Sequence, residues 1–377
     1  PSWYIRDNTR VRQIVVPRPD LDTRRALLES LTKNVPQFEA QKESERKESL
    51  SLLVRRTHDL QANEIISLIS LVRREILSVS DLPEAVVQYS SGIADNFWKA
   101  VDKKQVEDAA DFLGGRVFGQ KHAIKRVCNL LNQAYLDLSN SQYPQDLSQP
   151  RGFVLLAGHG GVGKTTLACA LKDLLLGPDR EMISLNMSDY QDNDASMRIL
   201  TFSSMDNGSF LGKIKKNPYS VVLFENIESA HSDVLKLISS IIRDGQIMTD
   251  DGQVVGFSGC FIICTLRLSG CCPNAYQHSH SEEETNKEYM ARERTAGESI
   301  TLFFEEKKSL DFSRFIRGNT VIFRSIQPDA AKLILEAMLT RIFEKISLMY
   351  AINLMISPSV REMVEEYCCQ DLSRGGI

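Results

Sequence analysis

Residues 158–165 read Gly158-His159-Gly160-Gly161-Val162-Gly163-Lys164-Thr165. The stretch meets the P-loop pattern Gly-x4-Gly-Lys-[Ser/Thr] at every position. Before it, Phe153-Val154-Leu155-Leu156-Ala157 reads as a buried parallel strand. After it, Thr166-Leu167-Ala168-Cys169-Ala170-Leu171 reads as a helix. Phosphate binding needs this layout: glycines let backbone N–H groups curve around phosphate oxygens, and the helix start adds a positive dipole end. Lys164 is expected to reach the outer phosphates and the Thr165 hydroxyl to sit on Mg²⁺. A glycine-rich turn that met the pattern by chance would not bring the strand and helix with it.

Bulk properties bound the alternatives. The chain has 377 residues, 42% hydrophobic and 25% charged, with net charge −4. That length allows two or three units of about 100–200 residues each. An acidic balance, with a pI near 6.0, argues against a general nucleic-acid binder. No apolar run approaches the roughly 20 residues that span a membrane, and no signal peptide is visible. The eight cysteines lack Cys-x2-Cys spacing and read as reduced thiols of a cytosolic protein. His278 and His280 read as solvated, not metal-binding. The start at Pro1 without Met suggests a piece of a longer protein.

Along the chain, Gln13-Ile14-Val15-Val16 reads as a short strand and residues 20–95 as a small helical segment. Phe97 to Leu113 is expected to be a linker helix and Ala123 to Leu136 an amphipathic one. From Gly152 strands and helices alternate, which predicts a parallel α/β sheet. Its strands are expected at Phe153–Ala157, Met182–Asn186, Ser220–Phe224, Cys260–Thr265 and Thr320–Phe323. Residues Pro273 to Lys308 are polar and charged and read as a solvated insertion or mobile loop. Helices are expected at Pro328–Tyr350 and Pro358–Cys368.

A P-loop needs an acidic partner at the tip of a neighbouring strand. Val221-Val222-Leu223-Phe224-Glu225-Asn226 supplies it, with Glu225 as the metal-side carboxylate. The next position usually holds the carboxylate that activates water, and here it is Asn226. An amide orients water but takes no proton from it at neutral pH. Glu228, two residues on, is expected to face elsewhere.

Together these stretches carry a resemblance. Asn186-Met187-Ser188-Asp189-Tyr190, Pro218 through His231, Asp244-Gly245-Gln246 and Asp251-Gly252 resemble the second ATPase module of the Clp family of AAA+ unfoldases. Val117-Phe118-Gly119-Gln120 and Ala123 are similar to that family's motif beside the adenine, and Pro150-Arg151-Gly152 leads into the P-loop as it does there. The likeness covers roughly residues 112 to 377. It implies an AAA+ P-loop NTPase core, an α/β fold with a parallel sheet flanked by helices, plus small helical lid subdomains. Residues 1–95 resemble the end and helical lid of a preceding AAA+ module. In those terms 96–150 is linker and opening helix, 151–325 the P-loop core, and 326–377 a truncated lid.

The resemblance also implies ATP and Mg²⁺ as ligands and a homo-oligomeric, hexameric ring in the full-length protein, acting in the cytoplasm on a protein substrate. It assigns nucleotide contacts to Val117, Gln120, Gly158, Gly160, Gly161, Val162, Gly163, Lys164, Thr165 and Thr166, and the metal to Thr165 and Glu225. The departures fall at working positions. Asn226 replaces the base. The polar sensor position falls at Arg267. The aromatic pore loop would lie between Leu200 and Phe210, where Phe202 and Met205 are the substitutes. Arg317, with Arg314 in reserve, is the candidate arginine that reaches a neighbour's site. Arg374 stands in for the family's Gly-Ala-Arg arginine. Base, sensor and pore loop altered together imply ATP binding with weakened hydrolysis in a remodelling ATPase; the alternative is a nucleotide-bound scaffold or switch with little turnover.

Overall fold

A computed structural model of the chain describes residues 19–33, 43–57, 62–74, 98, 101–136, 149–200, 209–249, 254–271, 286–307, 309–352 and 354–369. The chain separates into two compact units, Pro1–Ala94 and Asp95–Ile377. In the first, α1 (Leu21–Thr32), α2 (Glu43–Arg56) and α3 (Ala62–Arg74) pack together. Asp20 caps α1 by accepting the Thr23 N–H at 2.9 Å. Leu28, Leu53, Val54, Ile65, Leu68 and Ile69 form its buried interior. The strand expected at 13–16 and the part of the expected helical segment from residue 75 to 95 lie outside the described residues.

The second unit opens with α4 (Lys103–Glu107), α5 (Ala109–Gly114) and α6 (Lys121–Tyr135). The single linker helix expected over 97–113 is instead two short ones, broken at Asp108, whose φ of −83° and ψ of 1° are not helical. Just before them, Trp98 is buried against Phe261 and donates its indole N–H to the Gly259 carbonyl at 2.9 Å.

The sheet contains β1 (Gly152–Gly158), β2 (Ile183–Asn186), β3 (Val221–Glu225), β6 (Phe261–Arg267) and β7 (Thr320–Ile322) in the order β2-β3-β6-β1-β7, all parallel. A separate antiparallel pair joins β4 (Gln246–Met248) to β5 (Val254–Gly256). The central strands β1, β3 and β6 read as continuous apolar runs because both sheet faces are covered there. Alternate residues split between two cores. Leu155, Ala157, Val222, Phe224, Ile262 and Cys264 face one. Val154, Leu156, Val221, Leu223, Ile263 and Val321 face the other. The first lies under α8 (Ala195–Leu200), α9 (Phe210–Lys216), α10 (Ser232–Asp244), α12 (Asn286–Glu306) and α13 (Leu310–Ile316). The second lies under α4 to α6 and α7 (Lys164–Leu176). Cys128, Cys260 and Cys264 are buried thiols within these cores.

One expectation is overturned. Of the stretch 273–308 read as a solvated loop, residues 286–306 form α12, which follows the short α11 (Leu268–Cys271). Ala296, Ile300 and Phe304 are fully buried, and Phe304 packs edge-on against Phe312 at 4.8 Å between ring centres. Three apolar residues four apart make one buried stripe on an otherwise charged helix. At the end of the unit, α14 (Pro328–Tyr350) and α15 (Pro358–Cys369) pack on one another, with Arg361 donating to Glu336 at 3.1 Å.

Candidate functional site

The strand order reverses direction at β1. β2, the strand that follows it in sequence, lies to one side of it and β7, the last strand, to the other, and such switch points at carboxyl ends are where open α/β sheets leave a crevice. The loop after β1 fills that crevice and ends at Gly163, which caps α7 with φ 100°. Gly161 is also left-handed, at φ 72°. A side chain is strained at such angles. Val162 between them is buried with Val117, and a Cβ on Gly163 would lie 3.4 Å from a Val117 methyl. Val117 therefore backs the loop. Gly160 and Gly161 lie on its outer side, with Thr165 and Thr166 exposed on the first turn of α7.

Lys164 is turned inward. Its ammonium donates to the Gly158 carbonyl at 2.8 Å and to that of His159. Burial, together with the Arg267 charge, pulls it down to about 8, and Glu228 opposes that shift. Gln120 fixes the loop from behind. It is 3% exposed, donates to the Arg324 carbonyl at 2.8 Å and to that of Val162 at 3.5 Å, and accepts the Arg324 N–H at 3.1 Å. One amide thus holds the opening turn, the P-loop and the exit of β7.

The acidic strand ends beside this loop. Register puts Asn186 of β2 opposite Glu225 of β3, and Gly158 of β1 opposite Arg267 of β6. Asn226 follows Glu225 in the left-handed region, φ 54° and ψ 51°, which asparagine tolerates better than most residues. Its N–H donates to Thr265 Oγ1 at 3.2 Å, and its side-chain amide donates to Asn186 Oδ1 at 2.9 Å. The Asn226 side chain therefore points toward β2, on the side of β3 away from the P-loop.

Glu228 does the opposite, against expectation. The turn 227–229 is a 3₁₀ helix. Glu228 returns to the β6 side and accepts the Arg267 N–H at 3.1 Å. Burial pushes its carboxyl up; hydrogen bonds from its own N–H and that of Arg267, with the charges of Arg267 and Lys164, hold it back. Lys307, at the foot of α12, donates to the carbonyls of Glu228 and Ala230, the latter at 3.3 Å. Burial pulls that lysine down.

Sequence reasoning missed Glu228, Lys307, Asn186 and Thr265 as members of this edge. Arg317 is not brought to the P-loop. It lines a cleft of about 1060 Å³ between α6, α12 and β7, along with His122, Lys125, Arg126 and Arg294, and it donates to Glu305 at 3.3 Å. Arg314 faces Asp311 at 3.9 Å. Phe202, Met205 and Arg374 lie outside the described residues.

Comparison with known proteins fits this geometry. A family profile described as "AAA domain (Cdc48 subfamily)" matches residues 149–299. Chaperone protein ClpB of Prochlorococcus marinus is 28% identical over 282 residues, 72% of this chain and 30% of that protein. The chain belongs to the Clp-type AAA+ ATPases. Mitochondrial ClpB3 of Oryza sativa is 31% identical over 204 residues, 53% of this chain and 20% of that protein. A ClpA homologue of Porphyra purpurea is 25% identical over 72% of this chain and 33% of its own length. This Clp-type chain thus spans a third or less of these relatives. Among solved structures, the S. cerevisiae Hsp104:casein complex in its extended conformation superposes with a TM-score of 0.67 at 22% identity, over 97% of this chain and 63% of that one. A closed-state Hsp104 with ATPγS and FITC casein gives 0.66 at 20% identity over the same shares. Both share the fold, a parallel sheet flanked by helices.

Proposed function

We propose that this chain is the ATP-binding AAA+ module of a Clp-like protein-remodelling ATPase and that it hydrolyses ATP slowly. The observation that carries this is a complete phosphate cradle beside a strand end whose base position holds Asn226, already engaged with Asn186. In this reading the N–H groups of residues 158–166 line the phosphates. Lys164 leaves the Gly158 and His159 carbonyls for the outer phosphate, an exchange of two neutral acceptors for a charged one. Val117 and Gln120 back the adenine side.

Among the described residues no group of three His, Cys, Asp or Glu side chains could hold a metal. An ion here would take Thr165 and Glu225 plus phosphate and water oxygens, which suits Mg²⁺. When bound, Mg²⁺ supplies neutralisation of phosphate charge. Arg317 reaches a neighbour's site once its exposed pairing with Glu305 is given up. Arg267 occupies the sensor position beside Gly158.

Further parts of the reading rest on family likeness. The full-length protein forms a hexameric ring in the cytoplasm and acts on polypeptides. Residues 1–95 are the end and lid of a preceding module, supported by three packed helices and the Hsp104 likeness over 97% of the chain. No helix among the described residues is long and apolar enough to cross a membrane. A second reading, a nucleotide-bound scaffold or switch with little turnover, draws on the same Asn226–Asn186 bond.

The test is calorimetric titration of the chain with Mg·ATP against Lys164→Ala. Saturable binding lost in the variant is expected. Equal heats in both proteins would end the proposal.

A further inference from the structure

The missing base leaves a question that the geometry answers at another residue. We infer that Glu228 is the group that takes the proton from the attacking water in this chain. The inference rests on the proposed ATP site, and it follows from where the two side chains at the β3 exit point. β3 lies between β2 and β6, and β6 lies beside β1. Asn226 reaches toward β2. Glu228 reaches toward β6, where it accepts the N–H of Arg267, and Arg267 is in register with Gly158 at the start of the P-loop. The carbonyl of that same glycine holds the Lys164 ammonium. Glu228 is thus the carboxylate whose charge acts on Lys164.

The carboxylate is also held in place. Its two hydrogen bonds, from the N–H groups of Arg267 and of its own residue, use two of about four acceptor positions. Lys307 fixes the 227–230 turn from below through two carbonyls. A lone pair remains for a water, and the half-buried setting makes the carboxylate a stronger base than an exposed one. The charged groups facing it are Lys164 from α7, Arg267 from β6 and Lys307 from the end of α12.

The step balances without any further reactant. The water oxygen forms a bond to the γ-phosphorus as the bond from that phosphorus to the β–γ bridging oxygen breaks, and ADP keeps the electron pair. The water proton passes to the Glu228 carboxylate and then to solvent. A base two residues beyond the usual position supports turnover slower than a base at 226 would.

Single-turnover hydrolysis and Mg·ATP binding on the full chain test this, in wild type, Glu228→Gln, Asn226→Glu and the double variant. Loss of a general base costs about 10²–10⁴-fold, so Glu228→Gln is expected to slow hydrolysis at least about 100-fold while ATP affinity and melting temperature hold. In the Asn226→Glu background the same change is expected to matter less than about threefold, because a second base is present. An unchanged rate in Glu228→Gln overturns the inference. So does a rate loss matched by lost affinity or stability, which makes Glu228 only a strut for Arg267. Wild type that binds ATP yet turns over no faster than Lys164→Ala also overturns it while leaving the proposed ATP site standing; absence of binding removes the site itself. If Glu228→Gln does not fold, the wild-type pH profile decides. The rate must fall with acid as Glu228 protonates, from an onset above the usual glutamate range, and a flat profile between pH 5 and 7 overturns the inference.

Discussion

Replacing Gln120 by alanine removes the amide that ties the opening turn to the exit of β7. Two well-formed hydrogen bonds go, at 2.8 and 3.1 Å to the backbone of Arg324, and a longer one to Val162. A net hydrogen bond is worth about 0.5–1.5 kcal/mol, and a buried partner left unpaired costs about 1–3 kcal/mol. Arg324 is only partly buried, so water recovers some of that loss and a total near 2–3 kcal/mol follows. At about 2 °C per kcal/mol for a unit of this size, the melting temperature drops by about 5 °C. Scanning calorimetry measures it. Gln120→Met is the companion variant, since it keeps the volume and removes only the polar atoms, and it should lose most of the same stability. Melting within 1 °C of wild type in either variant would refute the reasoning, and recovery by methionine alone would shift the cause from hydrogen bonds to packing.

Other outcomes are expected at separate places. Burial pulls Lys164 down to about 8, so it is charged below that; phosphate binding needs it charged, so Mg·ATP affinity should weaken about tenfold from pH 7 to 9, with proton uptake near pH 8 seen by calorimetry in buffers of different ionisation enthalpy. Constant affinity over that range would contradict it. Arg317→Ala breaks a pair whose arginine is 67% exposed, worth about 0–1 kcal/mol, so melting and ATP binding should hold while turnover falls only in the assembled ring. Equal loss in dilute monomer would count against a role in trans. Trp98→Phe retains a ring beside Phe261 but loses the donor to Gly259, and urea unfolding should show a loss of about 1–2 kcal/mol.

The sheet was legible in the sequence because its central strands β1, β3 and β6 are covered on both faces and therefore apolar nearly throughout. The P-loop was legible because its glycines answer a local demand: Gly161 and Gly163 occupy angles that side chains resist. The helix at 286–306 was not read, since its buried apolar residues among those described, Ala296, Ile300 and Phe304, are spaced four apart within a strongly charged stretch. Glu228 was hidden for a geometric reason. Counting from a strand end assumes an extended chain, whereas the left-handed Asn226 and the 3₁₀ turn fold it back toward β6. The hydrogen bond between Asn226 and Asn186 joins residues forty apart and depends on strand register, which no local pattern reports.

The central claim is a sound ATP cradle with a disabled base position. It is tested most directly by ATP turnover and binding in wild type and Asn226→Glu, with Lys164→Ala as the blank. The account predicts that both bind Mg·ATP alike and that the glutamate raises turnover, by less than the full ~10²–10⁴-fold of a general base because Glu228 already serves in wild type. Fast turnover in wild type, or no gain in Asn226→Glu with binding intact, would contradict it.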